Sequence, residues 1–286
     1  MEGTANDYVF TDDLSEERAD PALIRRIADR HTGVGGDGVV LIRPPRHPEA
    51  RARMRMYNAD GSVSAMCGNA LRCIALFEHR RSGATEFLLE SDVGLHRVKV
   101  LQSDAASGAG QIEIDLGAPR FAAAEIPFRP EHALSAEVQD GALINVRLKP
   151  LPGVPEIPPA VLVSMGNPHC VLFVDDADHA GFETLGPLLE YHPAFPERTN
   201  VEFVSPEANG LYQRTYERGT GETLSCGSGA CAVHVAAVLT GRSGPVGRIR
   251  VRGGELELEW RGSVTESAGV ILRGPARIAF EGVIAV

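Results

Sequence analysis

Two stretches of this chain carry residue types able to move a proton, and they repeat one another. Met66-Cys67-Gly68-Asn69-Ala70-Leu71-Arg72-Cys73 and Ser225-Cys226-Gly227-Ser228-Gly229-Ala230-Cys231 each place a Cys-Gly pair directly before a long apolar helical pattern. A helix N-terminus presents N–H groups with no intrahelical acceptor and roughly half a unit of positive charge. A thiol placed there is easier to ionise than its reference value of about 8.5 implies. Glycine at the following position lets an anion approach the same N–H groups. Each stretch therefore reads as a reactive sulfur beside half of a carboxylate cradle. Two such ends facing one active site would hold one carboxylate between two thiols, on opposite faces of the adjacent carbon. That arrangement suits removal of an α-proton from one face and delivery to the other, with one cysteine as thiolate and its partner as thiol. No cofactor motif supplies an electron sink, so the helix-end N–H groups must stabilise the developing charge.

The elements that would position these residues also repeat. Arg55-Met56-Tyr57 stands ten to twelve residues before Cys67, and Arg214-Thr215-Tyr216 stands at the same distances before Cys226, an offset of 159. Gly94 matches Gly254, and Gly117 before Pro119 resembles Gly274 before Pro275. A repeat of this period over both halves implies duplication of one folding unit. We therefore expect an α+β chain with two similar domains related by an approximate two-fold. Each is mostly strands around one buried helix, with boundaries at 1–119 plus 275–286 for the half carrying Cys67 and 120–274 for the half carrying Cys226.

In the first half the pattern predicts a strand over Asn6–Asp13 and a helix capped by Asp20, opened by Pro21 and ending near His31. A tight Gly-rich loop over 32–38 precedes a strand over Val39–Ile42. A strand over Arg53–Tyr57 leads to a loop over Asn58–Ser62, then to an apolar helix from Gly68 to Arg81. Strands follow at Glu86–Glu90, Arg97–Leu101 and Gln111–Leu116, with Ser103–Gly110 as a flexible connection. In the second half strands are expected at Ala142–Leu148, Val161–Ser164, Val171–Val174 and Val201–Val204, with a helix around Phe182–Tyr191. The Pro-rich run Pro150–Pro159 must be extended or looped.

Composition narrows the function classes. At 286 residues, with 43% hydrophobic and 23% charged residues, this is globular composition. The formal net charge of −10 argues against a nucleic-acid partner, whose phosphates demand a basic surface. No apolar run reaches the ~20 residues of a membrane span, and the acidic start resembles no signal peptide, so a cytoplasmic enzyme is expected. Five cysteines without a Cys-x-x-Cys pair fit a reducing compartment better than a disulfide framework. Cys73, Cys170 and Cys231 lie in apolar surroundings and read as core thiols. Zinc, with His169 and His234 as added ligands, fits poorly, because thiols five or six residues apart on a helix diverge; no metal is expected. His31, His47, His192 and His234 read as packing or solvent histidines.

Asn58-Ala59-Asp60-Gly61-Ser62, Met66-Cys67-Gly68-Asn69, Gly166-Asn167-Pro168-His169 and the run Glu217–Gly229 resemble the diaminopimelate epimerase family over essentially the whole chain. The resemblance implies a cofactor-independent enzyme interconverting LL- and meso-diaminopimelate for lysine and cell-wall synthesis, with Cys67 and Cys226 as the acid/base pair. It implies that His169 and Glu217 form the polar pair around the reacting centre. Asn6, Asn58, Asn167, Asn200 and Arg218 would hold the distal amino-acid end of the substrate, and the backbone of Gly68, Asn69, Gly227 and Ser228 the reacting carboxylate. It further implies barrel-like strand layers around each central helix, a C-terminal strand returning to the first domain, and a homodimer. Ala5 stands where the family commonly has Gly, Ala70-Leu71 replaces Gly-Ala or Gly-Ile, and the opening strand reads as short. Two other readings remain open from the sequence: a histidine-type racemase on the same scaffold, and a relative that keeps the fold as a binding module. Asn69 speaks against a proline-type racemase, which has Cys-Gly-His, and the two cysteines speak against the binding module.

Overall fold

The computed structural model describes residues 1–151, 154 and 156–284. It divides into two compact units, Met1–Asp115 with the segment from Arg273 onward, and Leu116–Leu272. Of the Pro-rich run, Pro152, Gly153 and Pro155 lie outside the described residues, as do Ala285 and Val286 at the end of the 275–286 segment. Among the described residues no helix is long and apolar enough to cross a membrane.

In the first unit the strands form a ladder that wraps onto itself. Val9–Thr11 runs parallel to Gly38–Arg43, which pairs antiparallel with Ala50–Asn58. Ala50–Asn58 runs parallel to Glu86–Ser91, and hairpins continue through Gly94–Asp104 to Ala109–Asp115. The ladder then passes to the C-terminal strand Ile271–Arg277, on to Glu2–Gly3 and finally to Asn6–Asp7. Only Tyr8 separates the last strand of the ladder from the first. The expected single strand over Asn6–Asp13 is thus two short ones, because Asn6–Asp7 folds back on Glu2–Gly3 while Val9–Thr11 pairs elsewhere.

Helix α1 (Pro21–Ala28) begins as the sequence reads: the Asp20 carboxylate accepts from the N–H groups of Ala22 and Leu23 at 2.8 and 2.9 Å. It stops three residues before His31, because Asp29 takes the backbone N–H groups of His31 and Thr32 and the Thr32 hydroxyl into a local turn. Helix α2 (Gly68–Ser82) is buried from Gly68 to Leu76 and packs against the surrounding strands. Arg72 is wholly buried within it, its Nε bonding Pro275 O at 3.2 Å and its Nη2 the Thr4 hydroxyl at 3.3 Å. One guanidinium therefore ties the central helix to the strand Ile271–Arg277 and to the turn that follows Glu2–Gly3.

The second unit repeats this arrangement. Ala133–Gln139, missed by the sequence reading, forms a hairpin with Ala142–Leu148. Its seven residues are mostly exposed and so lack the apolar run that marks a buried strand. Ala160–Ser164 and Pro168–Phe173 form the next hairpin, and Pro168–Phe173 runs parallel to Asn200–Glu207. Asn200–Glu207 pairs antiparallel with Gly210–Glu217, which runs parallel to Val246–Val251, and Gly254–Glu259 closes the last hairpin. Helix α3 (Phe182–Glu190) covers Phe203 on one side, and helix α4 (Gly227–Leu239) lies against the other strand face, buried from Gly227 to Ala237. A helix apolar on all sides has nowhere else to go.

The duplication holds at the level of register. Met56 and Tyr57 pair with Ser64 and Val63, while Thr215 and Tyr216 pair with Thr223 and Glu222, each 159 residues on. Gly94 and Gly254 close equivalent hairpins with φ of 138° and 151°, in the region only glycine adopts freely.

Candidate active site

Each unit delivers its cysteine by the same local device. A long strand ends at Asn58 or Glu217, a tight turn returns as the short strand Val63–Ser64 or Gly221–Thr223, and the chain then enters the central helix. Cys67 and Cys226 are the N-cap residues of α2 and α4, with extended backbones (φ −147° and −121°), and their carbonyls accept the first helical N–H groups, from Leu71 at 3.0 Å and Ala230 at 2.9 Å. Asn58 and Glu217 are therefore strand ends rather than loop residues.

In the first unit Cys67 is half-buried, with the Tyr8 hydroxyl 3.6 Å and Asn6 Oδ1 3.9 Å from its sulfur. Asn6 Oδ1 also accepts from Asn69 Nδ2 at 3.0 Å, and Asn6 Nδ2 donates to Asp37 at 2.7 Å. Asp37 comes from the Gly-rich loop and shares Arg30 with Asp7. That loop thus orients Asn6 as well as turning the chain. Arg30 beside Asp7 holds its carboxyl below the usual range. The structure brings Asn6, Cys67, Gly68 and Asn69 together. Asn58 engages its own turn, donating to Ser62 Oγ at 3.0 Å.

In the second unit Cys226 is buried, with 6% exposure. Its sulfur accepts from Gly229 N–H at 3.4 Å and lies 3.5 Å from Ser228 Oγ. The sequence expectation of an easily ionised thiol fails here. Burial pushes the Cys226 thiol well above its ordinary value, the negative charges of Glu217 and Glu202 add to this, and the bonds from Ser228 and Gly229 recover only part. Cys73 and Cys170, wholly buried, are pushed up to about 12 for the same reason and are core thiols as the sequence reads.

The remaining candidates of the second unit form a connected polar group. His169 pairs in register with Asn200, because the strands begin at Pro168 and Asn200, earlier than the Val171 and Val201 expected from the sequence. His169 is wholly buried, its Nε2 3.1 Å from Asn167 Oδ1 and its Nδ1 2.8 Å from Glu202. Asn200 Nδ2 donates to Pro168 O at 3.1 Å and its Oδ1 accepts from Arg218 N–H at 2.8 Å, so this side chain braces the turn that presents Arg218. Glu217 accepts the Thr223 hydroxyl at 2.5 Å across the hairpin, and Arg218 is exposed.

The family model described as Diaminopimelate epimerase matches residues 1–122 and 161–279, which include every candidate residue above. The diaminopimelate epimerase of Desulforudis audaxviator is 43% identical over 289 residues, covering 99% of this chain and 96% of its own. That of Leptospira biflexa is 41% identical, covering 100% and 98%. The chain belongs to the diaminopimelate epimerase family. As a member of that epimerase family it is an isomerase. A crystal structure of a Bacillus anthracis phenazine biosynthesis protein of the PhzF family shares the fold, with a TM-score of 0.65 at 15% identity, covering 99% of this chain and 95% of that one.

Within this epimerase-family frame, three residues close to the candidates escape sequence reasoning: Tyr8, Asp37 and Glu202. Tyr8 and Asp37 lie 59 and 31 residues from the side chains they touch, in segments that read as plain strand and turn. Glu202 carried the one visible signal, a lone acid inside Val201-Glu202-Phe203-Val204. Val201 and Phe203 belong to the unit's apolar core, so alternation turns Glu202 to the opposite face.

Proposed function

We propose that this protein inverts one α-carbon of LL-diaminopimelate to give the meso isomer, without a cofactor, through a thiol and a thiolate supplied by Cys226 and Cys67. The observation that carries the reading is the equivalent placement of two cysteines as N-caps of two buried helices, each at the end of the same strand-turn-strand device. The N–H groups of Gly68, Asn69, Gly227 and Ser228 receive the reacting carboxylate, where charge develops as the α-proton leaves. One sulfur takes that proton while the other donates to the opposite face, so both thiols must address the same carbon. Burial favours the protonated form of Cys226, which suits it to the role of acid in the substrate-free protein. His169 and Glu217 provide polar support to this end, and Asn6, Asn58, Asn167, Asn200 and Arg218 bind the distal amino-acid end. The protein acts as a cytoplasmic homodimer.

Cys67→Ala and Cys226→Ala are each expected to abolish inversion while leaving the circular dichroism spectrum unchanged. Undiminished turnover by both variants would end the two-thiol reading. A histidine-type racemase is distinguished by substrate: racemisation of histidine with inert diaminopimelate would replace the proposal.

A further inference from the structure

Glu202 is a wholly buried acid beneath the first turn of α4. Its Oε1 lies 2.8 Å from His169 Nδ1, and its Oε2 accepts from Gln213 Nε2 at 2.9 Å and from the Thr215 hydroxyl at 2.5 Å. A carboxylate only accepts hydrogen bonds, so three donors converge on its two oxygens and His169 presents a protonated Nδ1 to it. On the other side, a Cβ added at Gly229 would come within 2.5 Å of Glu202 Oε1. Only glycine lets the helix that Cys226 caps sit so close to this carboxylate. A buried acid is costly unless its pairing is maintained, and here the strands Pro168–Phe173 and Gly210–Glu217 both contribute to that pairing.

We propose that Glu202 is a positioning residue for His169 and Cys226: it fixes the imidazole with Nδ1 inward and Nε2 toward Asn167, and seats the first turn of α4 through Gly229. With Nδ1 bonded to Glu202, Nε2 is the nitrogen that faces Asn167, 3.1 Å from its Oδ1. Glu202 touches no substrate in this assignment and acts through the ring it holds. The negative charge of Glu202 also contributes to holding Cys226 in its protonated form. The inference rests on the reading of His169 as polar support for the reaction, and deepens it.

The test combines imidazole ¹⁵N NMR of the full-length protein with turnover of LL-diaminopimelate. In the wild type His169 Nδ1 should be protonated. In a folded Glu202→Gln protein that fixed protonation should be lost, kcat should fall about 10- to 100-fold with little change in KM, the scale of removing a group that orients an imidazole, and Glu202→Asp should recover part of the loss. In a His169→Asn background Glu202→Gln should cause little further loss. The proposal is overturned by an unprotonated Nδ1 in the wild type, by an unchanged Nδ1 signal in Glu202→Gln, or by an equal kcat loss with His169 absent. If Glu202→Gln does not fold, the wild-type spectrum and Glu202→Asp decide by the same criteria. A wild type that leaves diaminopimelate untouched, yet whose His169 Nδ1 responds to Glu202→Gln, removes the proposed reaction and retains the positioning role.

Discussion

Cys226 occupies a helix N-terminus and a buried pocket at once, and the two surroundings pull its proton in opposite directions. The Gly229 N–H and the Ser228 hydroxyl favour the thiolate, but desolvation together with Glu217 and Glu202 favours the thiol. In the substrate-free protein alkylation of Cys226, followed by mass spectrometry against pH, should therefore show a midpoint above the ordinary thiol value of about 8.5. A midpoint at or below that value would contradict the assignment of Cys226 as the resting acid. At this scale the placement of Cys67 and Cys226 at helix starts was legible in the sequence, because a Cys-Gly before an apolar helical run has one geometric meaning. Their protonation was not, since it depends on burial set by strands and loops far along the chain. Glu202 was hidden for the same reason: Gln213 and Thr215 reach it from the next strand, and His169 from 33 residues away.

The elements show how local chemistry sets up these positions, and where it is strained. Thr4 and Ala5 form the two-residue turn between Glu2–Gly3 and Asn6–Asp7, with φ of 52° and 61°. Such a turn needs two left-handed residues and favours Asn-Gly. Thr4 is buried, donates to Gly3 O at 2.7 Å and receives Arg72, so its side chain is used, whereas Ala5 is exposed. A glycine at position 5, which the family resemblance leads one to expect, would adopt this conformation without penalty. Ala5→Gly should relieve a left-handed penalty of ~1–2 kcal/mol at a cost in chain entropy of ~0.5–1 kcal/mol. Denaturant unfolding should therefore show a gain of about 0.5 kcal/mol; a loss of stability would show that the turn is not strained at this residue. Elements of strong period or clear punctuation, such as α1 with Asp20 and Pro21 or α2 from Gly68, were legible in the sequence. The end of α1 was not, because Asp29 competes with the helix through three short bonds that no periodicity reveals.

Across the molecule, three buried histidines link stability to pH. His96, bonded to Ser91 and Asp115 O, His192, bonded to Lys149 O, and His234 within α4, bonded to Pro245 O, are all held below the ordinary histidine value, primarily by burial. The unfolded chain protonates these rings near pH 6.5 while the folded chain does not. The unfolded state then binds more protons, so their contribution is present above about pH 6.5 and is lost as pH falls through the lowered folded values. Thermal unfolding should show Tm declining as pH drops from about 7 toward 5.5, and the decline should lessen when His234 is replaced by an uncharged residue of similar volume. A Tm constant over that window would contradict the burial assigned to these rings. The duplication was legible at this scale because matching strand ends, turns and helix starts recur at one offset. The first unit's ladder closes through the C-terminal strand by its pairing with Ala109–Asp115 and Glu2–Gly3, and Arg72 meets Pro275 and Thr4 beside that closure.

Inversion at one α-carbon by exchangeable thiol protons is tested directly by incubating the reduced protein with LL-diaminopimelate in deuterated water. The expected product is meso-diaminopimelate carrying one deuterium at the inverted carbon, with no added cofactor, and neither product nor label should form in Cys67→Ala or Cys226→Ala. Recovery of unlabelled LL-diaminopimelate from the wild type, or formation of a meso product without deuterium, would contradict it.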